Sequence, residues 1–224
     1  MATNTKTKRR AAIAGATGLV GRELTRELLD TGNTEVHLLV RRAPDDVDRR
    51  AVVHVVDFAR FDALPPLDDL YCALGTTIKV AGSEEAFRRI DFDAVVAVAR
   101  AARASGATRL AVVSALGADA TSRVFYNRVK GQMEAAVSEL GFDSVVIARP
   151  SLLTGDREAL GQPTRLGERV AIAFAAPLRA ILPAGVRPIE ARVVARAMVH
   201  ALASAAAGVT VLDSAQLQSL GATS

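Results

Sequence analysis

Tyr126 and Lys130 stand four residues apart in a stretch with helical patterning, so their side chains share one helix face. Twelve residues before Tyr126, Ser114 closes an apolar run of strand length, Leu110 to Ser114. A phenol, an ammonium and a hydroxyl brought together suit the reduction of a carbonyl. Hydride arriving at the carbonyl carbon builds negative charge on oxygen, which then needs a proton and a hydrogen bond. Tyr126 would give the proton and Ser114 the bond. An ammonium beside the phenol favours phenolate and draws the tyrosine toward working pH. Lysine is itself informative here. Of 28 basic residues only Lys6, Lys8, Lys79 and Lys130 are lysine, and a guanidinium lacks the compact donor that also reaches ribose hydroxyls. The plain alternative is a core tyrosine beside a solvated helix lysine.

Such a site needs a hydride donor, and the N-terminal region carries a loop that would hold one. Gly15-Ala16-Thr17-Gly18-Leu19-Val20-Gly21 follows a short apolar run, Ala11 to Ala14, and opens the helical stretch Leu19 to Asp30. A glycine at 15 permits the tight turn, one at 18 lets backbone approach a pyrophosphate, and one at 21 lets the helix pack closely. The free N–H groups at the helix start then hold the anion. Folds selective for NAD place an acid after the second strand to bond the ribose 2′-hydroxyl. Here that strand ends at Val40 and Arg41 and Arg42 follow, two guanidiniums able to fork onto a 2′-phosphate. NADP is therefore the expected cofactor, an ordinary exposed basic turn being the alternative. Asp57 and Phe58, after a third strand, stand where an adenine would lie. Ala73, Leu74 and Gly75, after a fourth, would pass under the cofactor.

The elements that must position these groups alternate between strand and helix, which predicts a Rossmann-type, doubly wound parallel sheet in a single α/β domain. Strands are expected at Ala11–Ala14, Val36–Val40, Val52–Val56, Leu70–Leu74, Leu110–Ser114 and Ser144–Ala148. Helices are expected at Leu19–Asp30, at about Ser83–Ser105 with Ser83 as N-cap and Gly106 as terminator, and at about Ser122–Leu140. The core spans about residues 9–150. Residues 151–224 read as a small lid and substrate-side extension, with a loop marked by Gly155, Gly161 and Pro163. Helical stretches near Glu168–Ile181 and Glu190–Ser204 and a strand at Val209–Leu212 complete it.

The bulk composition narrows the classes. Half of the 224 residues are hydrophobic, enough for a large core without disulfides or metals. The net charge of +4 invites a nucleic-acid reading, but aromatics make up 4% and tryptophan is absent, leaving no stacking platform. No nucleic-acid partner is expected. His37, His54 and His200 lack ligand spacing, so no metal is expected, and the two strand histidines read as satisfied structural residues. Cys72 reads as a small hydrophobe inside a strand. No apolar signal stretch follows the basic N-terminus and no run is long enough to span a bilayer, so a cytoplasmic protein with no membrane partner is the expectation. The apolar stretch Val170 to Leu182 would line a pocket or form a homodimer face.

Tyr71-Cys72-Ala73-Leu74-Gly75-Thr76-Thr77, Ser114-Ala115-Leu116-Gly117-Ala118, Tyr126 with Lys130, and Arg149-Pro150-Ser151 together resemble the atypical branch of the short-chain dehydrogenase/reductase superfamily. The likeness is to the Tat-interacting-protein oxidoreductase group and, more distantly, to nucleoside-diphosphate-sugar epimerases. It covers about Ala11 to Arg157. It implies an NADPH-dependent oxidoreductase acting on a small carbonyl compound, with Ser114, Tyr126 and Lys130 catalytic and Pro150 bordering the nicotinamide. Many members carry an asparagine in the central helix that completes a proton relay, and here Asp91 stands in that region. The chain after Pro150 is also short for a nucleotide-sugar epimerase. The rival reading is a regulatory protein that senses NADPH and does no chemistry.

Overall fold

The computed structural model describes residues 8–61, 64–155 and 183–222. Its centre is a seven-stranded sheet of β1 (Arg9–Ala14), β2 (Thr34–Val40), β3 (Val52–Val55), β4 (Asp69–Cys72), β5 (Arg109–Val113), β6 (Ser144–Ala148) and β9 (Gly208–Leu212). The strands are all parallel and run in the order β3-β2-β1-β4-β5-β6-β9. The order reverses direction between β1 and β4. A crevice therefore opens there at the carboxyl ends of the strands, where open α/β sheets bind their ligands.

Period-two alternation builds the two cores. Ala11 and Ile13 of β1 face a layer containing Leu24 and Leu28 of α1 (Leu19–Asp30), while Ala12 and Ala14 face Val95, Val98 and Met133 on the other side. Those last residues belong to α4 (Val95–Ala104) and α5 (Phe125–Ser138). Because helices cover both faces, the inner strands are runs of apolar residues rather than alternating ones.

The fourth strand is shorter than expected: it ends at Cys72, and Ala73 to Thr77 leave the sheet to form the floor of the crevice. A short helix, α2 (Ile78–Ala81), follows. Ser83 caps the next helix as expected, its hydroxyl accepting the Ala86 amide N–H, and Gly106 takes the left-handed φ of 100° beyond the end of α4. Between them the helix is not uniform. α3 (Glu84–Arg88) passes into a π-helical turn over Arg89–Ala94 before α4 begins. Such a turn inserts one residue into the helical register and re-aims the side chains that it carries.

Beyond Pro150, β7 (Leu153–Thr154) pairs with β8 (Ile189–Glu190), and α6 (Ala191–Ala203) packs beside α1. Arg196 of α6 reaches Glu27 of α1 at 2.8 Å. A final helix, α7 (Ser214–Ala222), was not expected from periodicity. Its signal was present as a capping box: Asp213 accepts the Gln216 N–H at 2.8 Å while the Gln216 side chain accepts the Asp213 N–H at 2.9 Å. The helical stretch expected at Glu168–Ile181, with the loop marked by Gly161 and Pro163, lies outside the described residues.

Candidate active site

At the switch point, Gly15 takes φ +82°, and a Cβ there would sit 2.6 Å from the Ala73 carbonyl oxygen. The loop therefore lies directly against the segment leaving β4. Gly18 precedes the first residue of α1, and no side chain caps that helix end. Its N–H groups are left for an anion. Gly21 does a different job from the one expected of it. A Cβ there would fall 2.1 Å from the Gly15 carbonyl oxygen, so it admits the loop itself rather than the sheet.

A cleft of about 500 Å³ opens above this loop, lined among others by Gly18, Leu19, Val20, Ala73, Leu74, Gly75, Ser114, Tyr126, Lys130 and Pro150. Strand β5 brings Ser114 there and α5 brings Tyr126 and Lys130. The Ser114 amide donates to the Ala148 carbonyl at 2.7 Å, fixing the chain where it leaves the sheet. The Ser114 hydroxyl is buried and has no hydrogen-bond partner. A buried orphan hydroxyl facing a cleft is a place prepared for a ligand oxygen. The Tyr126 ring packs against Phe87 with centroids 5.2 Å apart.

Lys130 does not point free into the cleft. Its Nζ lies 2.7 Å from Oδ1 of Asp91, which is fully buried, and the other Asp91 oxygen accepts the Thr76 N–H at 2.8 Å. Burial raises the Asp91 carboxyl above the ordinary carboxylate range, with Lys130 and the Thr76 amide pulling the other way. Burial works against the Lys130 ammonium too, yet Asp91 and then Tyr126 outweigh it and hold the lysine above its usual value. The two directions compete for one proton. With the ammonium and an amide both donating to the carboxylate, the proton belongs on nitrogen. Asp91 had been noted only as a substitute for asparagine; that it pairs with Lys130 was not legible, and the π-helical turn that aims it carries no obvious motif.

The other expected cofactor contacts lie outside this cleft lining. Arg41 and Arg42 are exposed at the carboxyl end of β2, and among the described residues no ion pair engages them. Asp57 and Phe58 follow β3 in a turn. There Asp57 accepts the Ala59 N–H at 2.9 Å, and Phe58 meets Phe61 edge-on. Ala16 is buried beneath the loop and Thr17 is exposed on it. The histidine expectation needs correction. His37 and His54 do bond each other at 2.9 Å, but the buried Nε2 of His37 makes no hydrogen bond, although the Glu35 carboxylate lies 3.4 Å away. Cys72 is buried, and burial pushes its thiol up to about 11, consistent with an inert hydrophobe.

These residues fit a dinucleotide: a glycine cradle, an uncapped helix start, and an orphan hydroxyl lining the same cleft. Comparison with known proteins agrees. A family described as NAD(P)H-binding matches residues 15–171. Protein HTATIP2 of Rattus norvegicus is 35% identical over 204 residues, covering 88% of this chain and 82% of its own. Protein fmp52, mitochondrial, of Emericella nidulans is 33% identical over 178 residues, 75% of each chain. Among solved structures, MoeE5 in complex with UDP-glucose and NAD superposes with a TM-score of 0.68 at 17% identity, covering 91% of this chain and 75% of that one. A short-chain dehydrogenase/reductase superfamily protein from Agrobacterium tumefaciens with bound NAD gives 0.66 at 16% identity, covering 92% and 77%. The Rossmann architecture and the resemblance to the dehydrogenase and epimerase superfamily thus hold.

The cytoplasmic expectation does not stand, because several fungal relatives carry "mitochondrial" in their names. The error has a physical root. A missing apolar stretch argues against a secretory signal, whereas organellar transit segments are basic and amphipathic and need no such stretch. Among the described residues, no helix is long and apolar enough to cross a membrane.

Proposed function

The chain belongs to the NAD(P)H-binding family, and from that premise we propose that it is an oxidoreductase that reduces a small carbonyl compound with NADPH. The observation that carries this reading is the Ser114 hydroxyl, buried without a partner in the cleft that Tyr126 and Lys130 also line. Among the described residues no group pairs with this hydroxyl, and leaving it unpaired costs about 1–3 kcal/mol. A carbonyl oxygen would satisfy it.

The dinucleotide, once bound, would supply hydride. Ser114 would donate a hydrogen bond to the carbonyl oxygen and Tyr126 would give it a proton, so that charge never accumulates there. Lys130 would face the ribose and hold positive charge beneath the phenol. Gly15, Gly18 and the start of α1 would take the pyrophosphate. Preference for NADPH is supported by the exposed Arg41 and Arg42 at the end of β2, where an acid would otherwise select NAD.

A screen of aldehydes and ketones followed by NADPH oxidation tests the reading. On the substrate found, Ser114→Ala should lower kcat by about a hundredfold, the scale of a lost oxyanion donor. Tight NADPH binding with no oxidation across the screen would replace the reductase with an NADPH-sensing regulator.

A further inference from the structure

Three large apolar side chains are left exposed on the lining of the cleft that holds the Ser114 hydroxyl. Val80, Leu116 and Leu152 are 67%, 45% and 39% exposed. A single apolar residue on a surface needs no explanation, whereas several bordering one concave site mark a place where something apolar binds. Each comes from a different segment. Val80 follows β4, Leu116 follows β5 and Leu152 follows β6, and these three strands are neighbours in the sheet. The glycine loop and Arg41 and Arg42 lie on the other side of the switch point, after β1 and β2. The apolar residues therefore stand over the half of the crevice that a bound nucleotide would leave to a substrate.

Packing does not account for them. None of the three belongs to either core, and α2, which carries Val80, buries none of its own residues. The backbone around them is tied down. The Leu116 N–H donates to the Pro150 carbonyl at 3.0 Å, and the Leu152 carbonyl accepts the Ile189 N–H at 3.0 Å. Ser151, just before Leu152, donates to the Arg187 carbonyl and accepts the Ser214 hydroxyl. Charge points the same way. Among the described residues that line the cleft, only Asp91 and Lys130 carry a formal charge, and they lie 2.7 Å apart, both buried. A phosphate or carboxylate entering the cleft would have to compete with Asp91 for that ammonium, and an unpaired anion out of water is costly.

We propose that the site takes an uncharged aldehyde or ketone with an apolar tail, its carbonyl oxygen at Ser114 and its tail against Val80, Leu116 and Leu152. This inference rests on the reductase reading of the same site and adds the class of substrate. Each methylene laid against these side chains leaves water, which favours longer tails, whereas an ionised group on the tail gains no counter-charge.

The test is a calorimetric titration of straight-chain methyl ketones of increasing length, and of oxo acids of matching length, into the protein saturated with oxidised NADP. That cofactor has no hydride to give, so binding is read without turnover. Ketone affinity should rise by up to about fourfold for each added methylene. A terminal carboxylate should weaken binding by about tenfold or more. Leu116→Asp and, independently, Val80→Asp change exposed residues, so both should melt like wild type and keep dinucleotide affinity while the gain per methylene falls below about twofold. Affinity that ignores tail length, oxo acids that bind as tightly as ketones, or no ketone binding at all would overturn the inference. So would a gain per methylene that survives in both variants. Ketones that bind with the expected gain yet are not reduced when NADPH replaces NADP would sink only the reductase reading. Reduction that favours oxo acids over ketones would sink only this inference.

Discussion

The Gly15 carbonyl oxygen and the α-carbon of Gly21 are in such close contact that a Cβ on Gly21 would lie 2.1 Å from that oxygen. The phosphate loop is thereby folded back on the first turn of α1. Gly18 differs: a Cβ there would meet only the Gly15 oxygen, at 3.3 Å, and its φ of −83° is open to any residue. Gly21 is needed by the fold itself, whereas Gly18 is proposed to keep space for a ligand.

The two should separate experimentally. Gly21→Ala should destabilise the protein by about 1–3 kcal/mol or more, the scale of overpacking, seen as a lowered Tm without ligand. Gly18→Val should melt near wild type and lose dinucleotide binding, because its branched side chain fills the pyrophosphate position. Normal NADPH binding by Gly18→Val would show that the loop is not the site.

Arg41 and Arg42 set the second prediction. Titrated side by side, NADPH should bind more tightly than NADH. The double substitution Arg41→Ala, Arg42→Ala should cost about 2–4 kcal/mol of NADPH affinity, the worth of two charge-assisted bonds, while NADH hardly changes. Equal wild-type affinities would remove the case for NADP.

Tyr126 and Lys130 should fail in different ways. Tyr126→Phe deletes the proton donor alone, so NADPH affinity should hold while turnover falls by about a hundredfold or more. Lys130→Ala should weaken both binding and turnover, and it also strands a buried carboxylate at Asp91. Full activity in Tyr126→Phe would mean that another group is the acid.

Asp69 gives a prediction on acid stability. It lies buried at the start of β4, with the Arg109 Nε at 2.6 Å and the Arg9 Nη2 at 2.8 Å. Burial alone would raise its carboxyl, but the two guanidiniums outweigh burial and hold it below the usual range. A depressed folded value means that the stabilisation is complete above the unfolded value of about 3.9 and fades as pH falls through the folded one. Asp69→Asn should therefore cost about 3 kcal/mol at neutral pH. The gap between variant and wild type in denaturant melts should narrow below about pH 4. A gap constant from pH 7 to 3 would mean that Asp69 acts through shape and not charge.

Much of this protein was determined by residue order alone. Strands covered on both faces are apolar runs, the loop Gly15 to Gly21 has its glycines at the spacing a phosphate turn needs, and Tyr126 and Lys130 share a face because a helix repeats every 3.6 residues. Each of these signals is local, so no knowledge of packing was needed to read it. The pairing of Asp91 with Lys130, the orphaned Ser114 hydroxyl, the twin arginines on Asp69 and the contact of Gly21 with the Gly15 carbonyl were decided only by the tertiary structure. They depend on which segments meet across the sheet and on how little solvent remains between them. Burial and the direction of a side chain after a one-residue shift in helical register are properties of the packed chain, and a sequence window does not contain them.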